Sequence, residues 1–405
     1  MTSDLSAAMG RDDVELRAPR DAAERDALGT ILGHCFGIAE NDLRALLEQQ
    51  ALSDLVVLRH GAELVGGLIL VDMGQHFGGR SVPLCGVAAV GIAPEHRGAG
   101  FGRALVRGTV ARMASRGAPL SALYPATVPL YRSGGFELAG SRYEHRLRLD
   151  NWSQRAGELR VREGGADDFD AMRRAQAAYT APHDGTLDRG DYVWHRVRSP
   201  RGESARHYVV DGVGDDGPAA YVSFTQPKRT DGVMGYDLAL TDLVVNDPAA
   251  GRRLLAFLST HGSLAGKVTL FGAPQPELLG MLPEWRAETR LMMHWMTRVL
   301  DLPAALRARG YAPGLSAEVS LRLRDELCTQ HAGNWLLRVR DGAAEVLPGG
   351  DGEVELSERG AAALFTGFQS PRALARMGLA SGPPDALDRV GALFAGRGPW
   401  MSEMF

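Results

Sequence analysis

The sequence lacks the features that mark several broad classes of protein. Only three cysteines occur in 405 residues, Cys35, Cys85 and Cys328, far apart and with no C-x-x-C pair. That pattern supplies neither a disulfide framework nor a zinc site, and a reducing cytoplasm suits it best. No apolar run approaches the length needed to span a bilayer, and Asp4, Asp12 and Asp13 stand where a signal peptide would place an apolar block. Residues before about Val14 are expected to form a mobile tail. Basic residues are not in excess: 45 against 49 acidic ones leave a net charge of −4, which argues against a nucleic-acid partner. The eleven histidines show no H-x-x-x-H or H-E-x-x-H spacing, so no metal is expected. With no G-x-S-x-G elbow either, the commonest serine hydrolase reading falls.

What remains is an ordinary globular composition, 45% hydrophobic and 23% charged, at a length that calls for two or three domains. One stretch organises the rest: Val87 to Gly102, VAAVGIAPEHRGAGFG. Val87 to Ile92 has strand character, Pro94 ends the strand, and R-x-x-G-x-G from Arg97 to Gly102 opens a helix expected over Arg103 to Met113. In such a loop glycines let backbone N–H groups converge, and the helix start adds unpaired donors and a positive dipole end. The matching guest is a pyrophosphate. The spacing is neither the G-x-G-x-x-G of dinucleotide sites nor a P-loop. After a strand at Leu120 to Tyr124 comes a second signal, Tyr131 followed by three residues, Gly135 and Phe136. The pair resembles the GNAT superfamily of acetyl-CoA-dependent N-acyltransferases, with its R/Q-x-x-G-x-G/A and Y-x-x-x-G-F motifs.

The order around these motifs agrees. A strand at Val14 to Arg20 is followed by helices at Ala22 to Phe36 and Asn41 to Leu52. Strands at Leu55 to Arg59, Leu64 to Asp72 and Val82 to Ile92 come next. After a polar link, Asp150 to Gly157, the pattern restarts. A strand at Leu159 to Arg162, a helix at Asp167 to Tyr179 and strands at His207 to Asp211 and Ala219 to Gln226 lead into Asp237 to Val245. That last strand runs through Asp247 and Pro248 into a helical stretch, Arg252 to Leu258. This second half echoes the first as an internal repeat with only Gly251 left of the glycine set, so it is expected to bind no coenzyme and to wall the substrate cleft. A third unit opens at DLPAALRARGY, with Pro303 in the first helical turn and Gly310 as the cap. Four short strands, Glu318 to Arg324, Trp335 to Arg340, Ala344 to Leu347 and Glu353 to Leu356, precede helices at Glu358 to Phe365, Pro371 to Met377 and Pro384 to Phe394. An α+β unit of this make-up resembles the sterol-carrier-like domain.

Two GNAT-type units, the second degenerate, followed by a sterol-carrier-like unit resemble the Eis (enhanced intracellular survival) family. The expected fold is therefore mixed α/β and α+β, with domains at residues 1–150, 151–298 and 299–405. The resemblance implies acetyl-CoA as co-substrate, a small-molecule amine (aminoglycosides included) or a protein lysine as acceptor, and a homo-oligomer, a hexamer. It maps coenzyme contacts onto Val90, Gly91 and Ile92, onto Arg97, Gly98, Ala99, Gly100, Phe101, Gly102 and Arg103, and onto Ala126 and Thr127. It maps the proton donor onto Tyr131 and the proton acceptor onto the terminal carboxylate of Phe405, with Phe36 and Glu403 toward the acceptor. The chemistry needs one base and one acid, because an amine must be neutral to attack and the departing thiolate must be protonated. A free α-carboxylate is a weak base, and burial beside Trp400, Met404 and the Phe405 ring would strengthen it. Ile38 and Ala39 stand where family members that acetylate aminoglycosides carry an acidic residue, with Glu40 and Asp42 only beyond, and Met404 takes the penultimate place. These departures weaken the case for aminoglycosides more than for acetyl transfer. A CoA-sensing or lipid-binding protein is the reading from outside the enzymes.

Overall fold

The computed structural model describes residues 13–149, 158–212, 217–284 and 286–405. The expected tail before Val14, apart from Asp13, and the polar link at 150–157 lie outside the described residues. Strand β1 (Val14–Arg17) stops short of the expected Arg20 because Pro19 has no N–H to give a ladder. Helix α1 (Ala22–Phe36) starts where the Asp21 side chain accepts from Glu24 N–H and ends at Gly37 in the left-handed region. Helix α2 (Glu40–Glu48) ends before the expected Leu52, which instead opens a one-turn 3₁₀ helix, Leu52–Asp54. Strands β2 (Leu55–His60), β3 (Glu63–Phe77) and β4 (Arg80–Ile92) form an antiparallel meander. Helix α3 (Phe101–Ser115) packs Leu105, Val106 and Val110 on one face of it, and Leu28, Leu32, Leu43 and Leu47 of α1 and α2 cover the other. Strand β5 (Leu120–Leu123), helix α4 (Val128–Arg132) and strand β6 (Glu137–Arg148) complete this stretch.

The second stretch repeats the plan. It comprises β7 (Val161–Glu163), α5 (Phe169–Thr180), β8 (Leu187–Asp188), α6 (Asp191–Arg198), β9 (Arg206–Asp211) and β10 (Pro218–Thr225). β11 (Tyr236–Val245), α7 (Pro248–Ser259), β12 (Ala265–Gly272) and β13 (Glu288–Val299) follow. One sheet runs β1-β2-β3-β4-β5-β13-β6-β12-β11-β10-β9-β7. The last strands are exchanged: β13 lies against β5, with Met296 opposite Leu123, and β6 lies against β12, with His145 opposite Leu270. Each half supplies the strand that covers an inner edge of the other, so neither inner edge is left with a row of unpaired backbone groups. Trp295 and Met296 on β13 are fully buried. β13 has no counterpart among the elements expected from the sequence.

The third stretch begins with α8 (Leu302–Ala308), capped by the Asp301 side chain and opened by Pro303. β14 (Ala317–Arg324), β15 (Gly333–Arg340), β16 (Ala343–Pro348) and β17 (Val354–Ser357) are followed by α9 (Glu358–Phe365), α10 (Pro371–Arg376), β18 (Ala380–Ser381) and α11 (Pro384–Phe394). The two-residue β18 pairs with β17 and breaks the expected order of strands first and helices last. Buried Arg298 of β13 fastens this unit to the rest. Its Nη2 donates to both oxygens of Asp325, at 2.7 and 2.6 Å, and its Nε to the Gly134 carbonyl, at 3.1 Å.

Candidate active site

β4 and β5 run parallel only through the pairs Leu84–Leu120, Cys85–Ser121 and Gly86–Ala122, and beyond Gly86 they part. The bend has a local cause. Between the pairs Ile69–Ala88 and Gly67–Gly91, two residues of β4, Ala89 and Val90, oppose Leu68 alone, and Ala89 is held at φ +50°. A non-glycine residue in that region costs about 1–3 kcal/mol and persists where the surroundings impose it. The result is an open fork. One arm is Val87 to Ile92, carrying Val90, Gly91 and Ile92; the other is the segment after β5, with Ala126 and Thr127 exposed.

The glycine loop stands at the end of the first arm. Gly98 and Gly100 sit at φ +81° and +87°, which only glycine adopts at no steric cost. α3 begins at Phe101 with Gly100 as its cap and no side chain capping it, while Gly98, Ala99, Gly100 and Arg103 are exposed. The start of α3, Gly102 included, thus lacks a side-chain cap, and a helix start without one is suited to a diphosphate. Arg97 braces the loop: its Nε donates to the Ile92 carbonyl at 3.2 Å and its Nη2 reaches Cys35 Sγ at 3.4 Å. Phe36, half exposed, follows Cys35 and so stands at the outer end of the fork.

Tyr131 and Phe405 approach the fork from opposite faces. Tyr131 lies on α4, the helix expected between the strand at Leu120 and the last strand of the first unit, in the core that also holds Val87 and Leu123, with its ring edge-on to Phe136. It is 4% exposed, and burial pushes its phenol up to about 12. Among the described residues its hydroxyl has no hydrogen-bond partner, and it is not one of the polar atoms sealed from solvent. On the other face the Phe405 ring covers Gly86 so closely that an added Cβ would lie 2.8 Å from it. Gly86 is the last paired residue of β4 against β5, so the chain terminus reaches the point where the strands separate.

The terminal segment is docked along its length. Ser141 N–H donates to the Pro399 carbonyl, Trp400 N–H to Asp184 and Met401 N–H to Ser141. Arg142 Nε donates to the Ser402 carbonyl at 2.9 Å and Tyr124 Oη to the Glu403 carbonyl at 2.7 Å. The Glu403 carboxylate is committed inside the protein, Oε1 to Arg189 Nε at 2.5 Å and Oε2 to the Ser402 hydroxyl at 3.0 Å. Glu403, expected from the sequence to face an acceptor, is thus anchored by its side chain and also lines a cavity of about 1050 Å³ beside β11. Arg189 also holds Asp242 through two bonds of 2.6 and 2.8 Å, and Tyr221 Oη donates to Asp242 at 2.7 Å. Burial works to lower the Arg189 pKa, but Asp242 and Glu403 together hold it well above its ordinary value. Tyr124, Arg189 and Asp242 escape the sequence reading; an aspartate inside the apolar run of β11 is the one signal that could have pointed to the cluster.

The second stretch repeats the fork. β11 and β12 part after Ala239–Thr269, and Thr241 is the extra residue between the pairs Ser223–Asp242 and Phe224–Leu240. Its helix start differs: the Asp247 carboxylate accepts from Ala250 N–H at 2.8 Å and caps α7. An internal anion caps α7, where α3 has no side-chain cap.

Comparison with known proteins agrees with this architecture. Residues 17–139 and 185–299 each match an acetyltransferase (GNAT) domain family, and residues 302–402 match the sterol carrier protein domain family. The crystal structure of a GCN5-related N-acetyltransferase from Anabaena variabilis is 32% identical, covers 97% of this chain and 100% of its own, and superposes with a TM-score of 0.90. The N-acetyltransferase Eis of Mycobacterium tuberculosis is 26% identical over 84% of this chain and 86% of its own. An uncharacterized N-acetyltransferase of Streptomyces griseus is 28% identical over 81% and 83%. The chain belongs to the Eis-like family of GNAT N-acetyltransferases, two GNAT units followed by a sterol-carrier-like unit.

Proposed function

We propose that the protein acetylates a primary amine by direct attack in a ternary complex, with Tyr131 as general acid and the Phe405 carboxylate as general base. Acetyl-CoA supplies an activated acetyl group and a thiolate leaving group when bound. The loop Arg97 to Arg103 would hold its diphosphate, and the arms of the fork, Val90 to Ile92 and Ala126 to Thr127, its extended portion. The fit rests on the uncapped start of α3 and the parted strands. The terminal carboxylate then takes a proton from the acceptor's ammonium, and the Tyr131 hydroxyl holds one ready for the sulfur.

The observation that carries this reading is that the Phe405 ring lies on Gly86, where β4 and β5 part, while Tyr131 belongs to the core on the opposite face of the same strands. Its test is free-thiol release by untagged protein with acetyl-CoA and a panel of amines. Tyr131→Phe is expected to retain acetyl-CoA binding and to lose roughly 10²-fold or more in kcat, as for removal of a positioned acid. Unchanged turnover would remove Tyr131 from the mechanism.

A further inference from the structure

A chain terminus that works as a base has to be held, because the last residues of most chains fray. Here the main chain just before the terminal carboxylate is gripped carbonyl by carbonyl. The Ser402 carbonyl accepts from Arg142 Nε at 2.9 Å, the Glu403 carbonyl from Tyr124 Oη at 2.7 Å and the Met404 carbonyl from Arg196 Nε at 3.3 Å. The donors come from β6, from the residue after β5 and from α6. Arg142 and Arg196 line the cavity beside β11 together with Ser402, Glu403 and Met404, whereas Tyr124 does not, so the segment is held from two sides.

Two of the donors are themselves fixed. The Arg142 guanidinium lies over the Phe271 ring, 3.6 Å from its centroid. The Tyr124 ring stands 5.9 Å from that of Phe405, tilted by 60°, and burial keeps its phenol protonated and so able to donate. Phe405 is 8% exposed, and among the described residues its carboxylate makes no hydrogen bond or ion pair. The peptides leading to the carboxylate are therefore fixed, while its own lone pairs stay open to an incoming ammonium. Bonds to main-chain carbonyls set the direction of the chain whatever side chain stands at Met404, which is 48% exposed.

We propose that Tyr124, Arg142 and Arg196 are positioning residues that aim the terminal carboxylate by holding the main chain of residues 402–404. The inference rests on the Phe405 carboxylate being the base, and it names what fixes that base in place. The test is a double-mutant cycle on full-length protein: the unaltered chain, Tyr124→Phe, a chain extended after Phe405, and the extended chain carrying Tyr124→Phe. Free-thiol release is followed with acetyl-CoA and, as acceptors, spermidine, tryptamine and an aminoglycoside. Tyr124→Phe keeps the ring against Phe405 and deletes one hydrogen bond. It is expected to lower kcat about tenfold, less than the roughly 10²-fold that a misplacement of about 1 Å can cost, with acceptor KM and calorimetric acetyl-CoA affinity retained. Arg142→Met is expected to act alike, and Arg196→Met, whose bond is longer and more exposed, to cost severalfold. In the extended chain Tyr124→Phe is expected to change the residual rate by at most about twofold, because the group it aims is already gone. A tenfold fall there as well would show an effect that does not pass through the terminus and would overturn the positioning role. Unchanged kcat in all three folded variants would overturn it too, and both results leave the terminal base standing. Full turnover by the extended chain would instead overturn the base itself, and no thiol release by the unaltered chain with any of the three amines would count against the transfer mechanism.

Discussion

Tyr131 shows how a single side chain can be tuned by what surrounds it. A general acid acts in its protonated form, and burial raises its pKa to about 12, so that form persists well past the ordinary phenol range near 10. Tyr131 is therefore expected to impose no alkaline fall on kcat below about pH 11. A pH–rate profile showing a fall near pH 9 that vanishes in Tyr131→Phe would contradict this. The terminal carboxylate is just as exposed to test: a chain carrying extra residues after Phe405 turns it into an amide and is expected to lose turnover, measured as thiol release beside the unextended protein. The glycine loop and Tyr131 were legible in the sequence because their signals are local, a few residues whose types report the turn they must make. The Arg189–Asp242–Glu403 cluster was not, since its members lie 53 and 214 residues from Arg189 and no spacing announces them.

Among the elements, the parted strands depend on neighbours that hold them in place. The terminal segment, for instance, is pinned at Glu403 by Arg189, which lies between β8 and α6. Arg189→Met would leave Asp242 and Glu403 buried without their cation, and removing one partner of a buried ion pair costs about 3–5 kcal/mol. Denaturant unfolding is expected to show a loss of that order, with thiol release falling as Phe405 is freed. A loss below about 1 kcal/mol would mean that the cluster does not hold the segment. Elements set by local periodicity, such as α1, α3 and α9, could be read from sequence to within two residues at either end. β13 could not. Its apolar residues find their partners on β5 and β6, more than a hundred residues earlier, and pairing at that distance leaves no periodic trace.

For the whole molecule, the exchanged strands mean that the two GNAT units are not separable at the link between them. A chain ending at residue 150 lacks β13, which exposes the β5 edge and removes Trp295, Met296 and Arg298 from the core. Such a chain is expected to aggregate or to lack a cooperative thermal transition. Adding residues 286–299 as a separate peptide is expected to restore some order by circular dichroism. A soluble, cooperatively folding chain of residues 1–150 would argue that the exchange is dispensable.

The exchange also bears on how the protein is made. During translation β6 emerges about 140 residues before β13. At roughly 5–20 residues per second, the nascent chain waits on the order of ten seconds with an unsatisfied β5 beside it. That interval falls before release from the ribosome, when ribosome-bound chaperones would be the natural guard of an open edge.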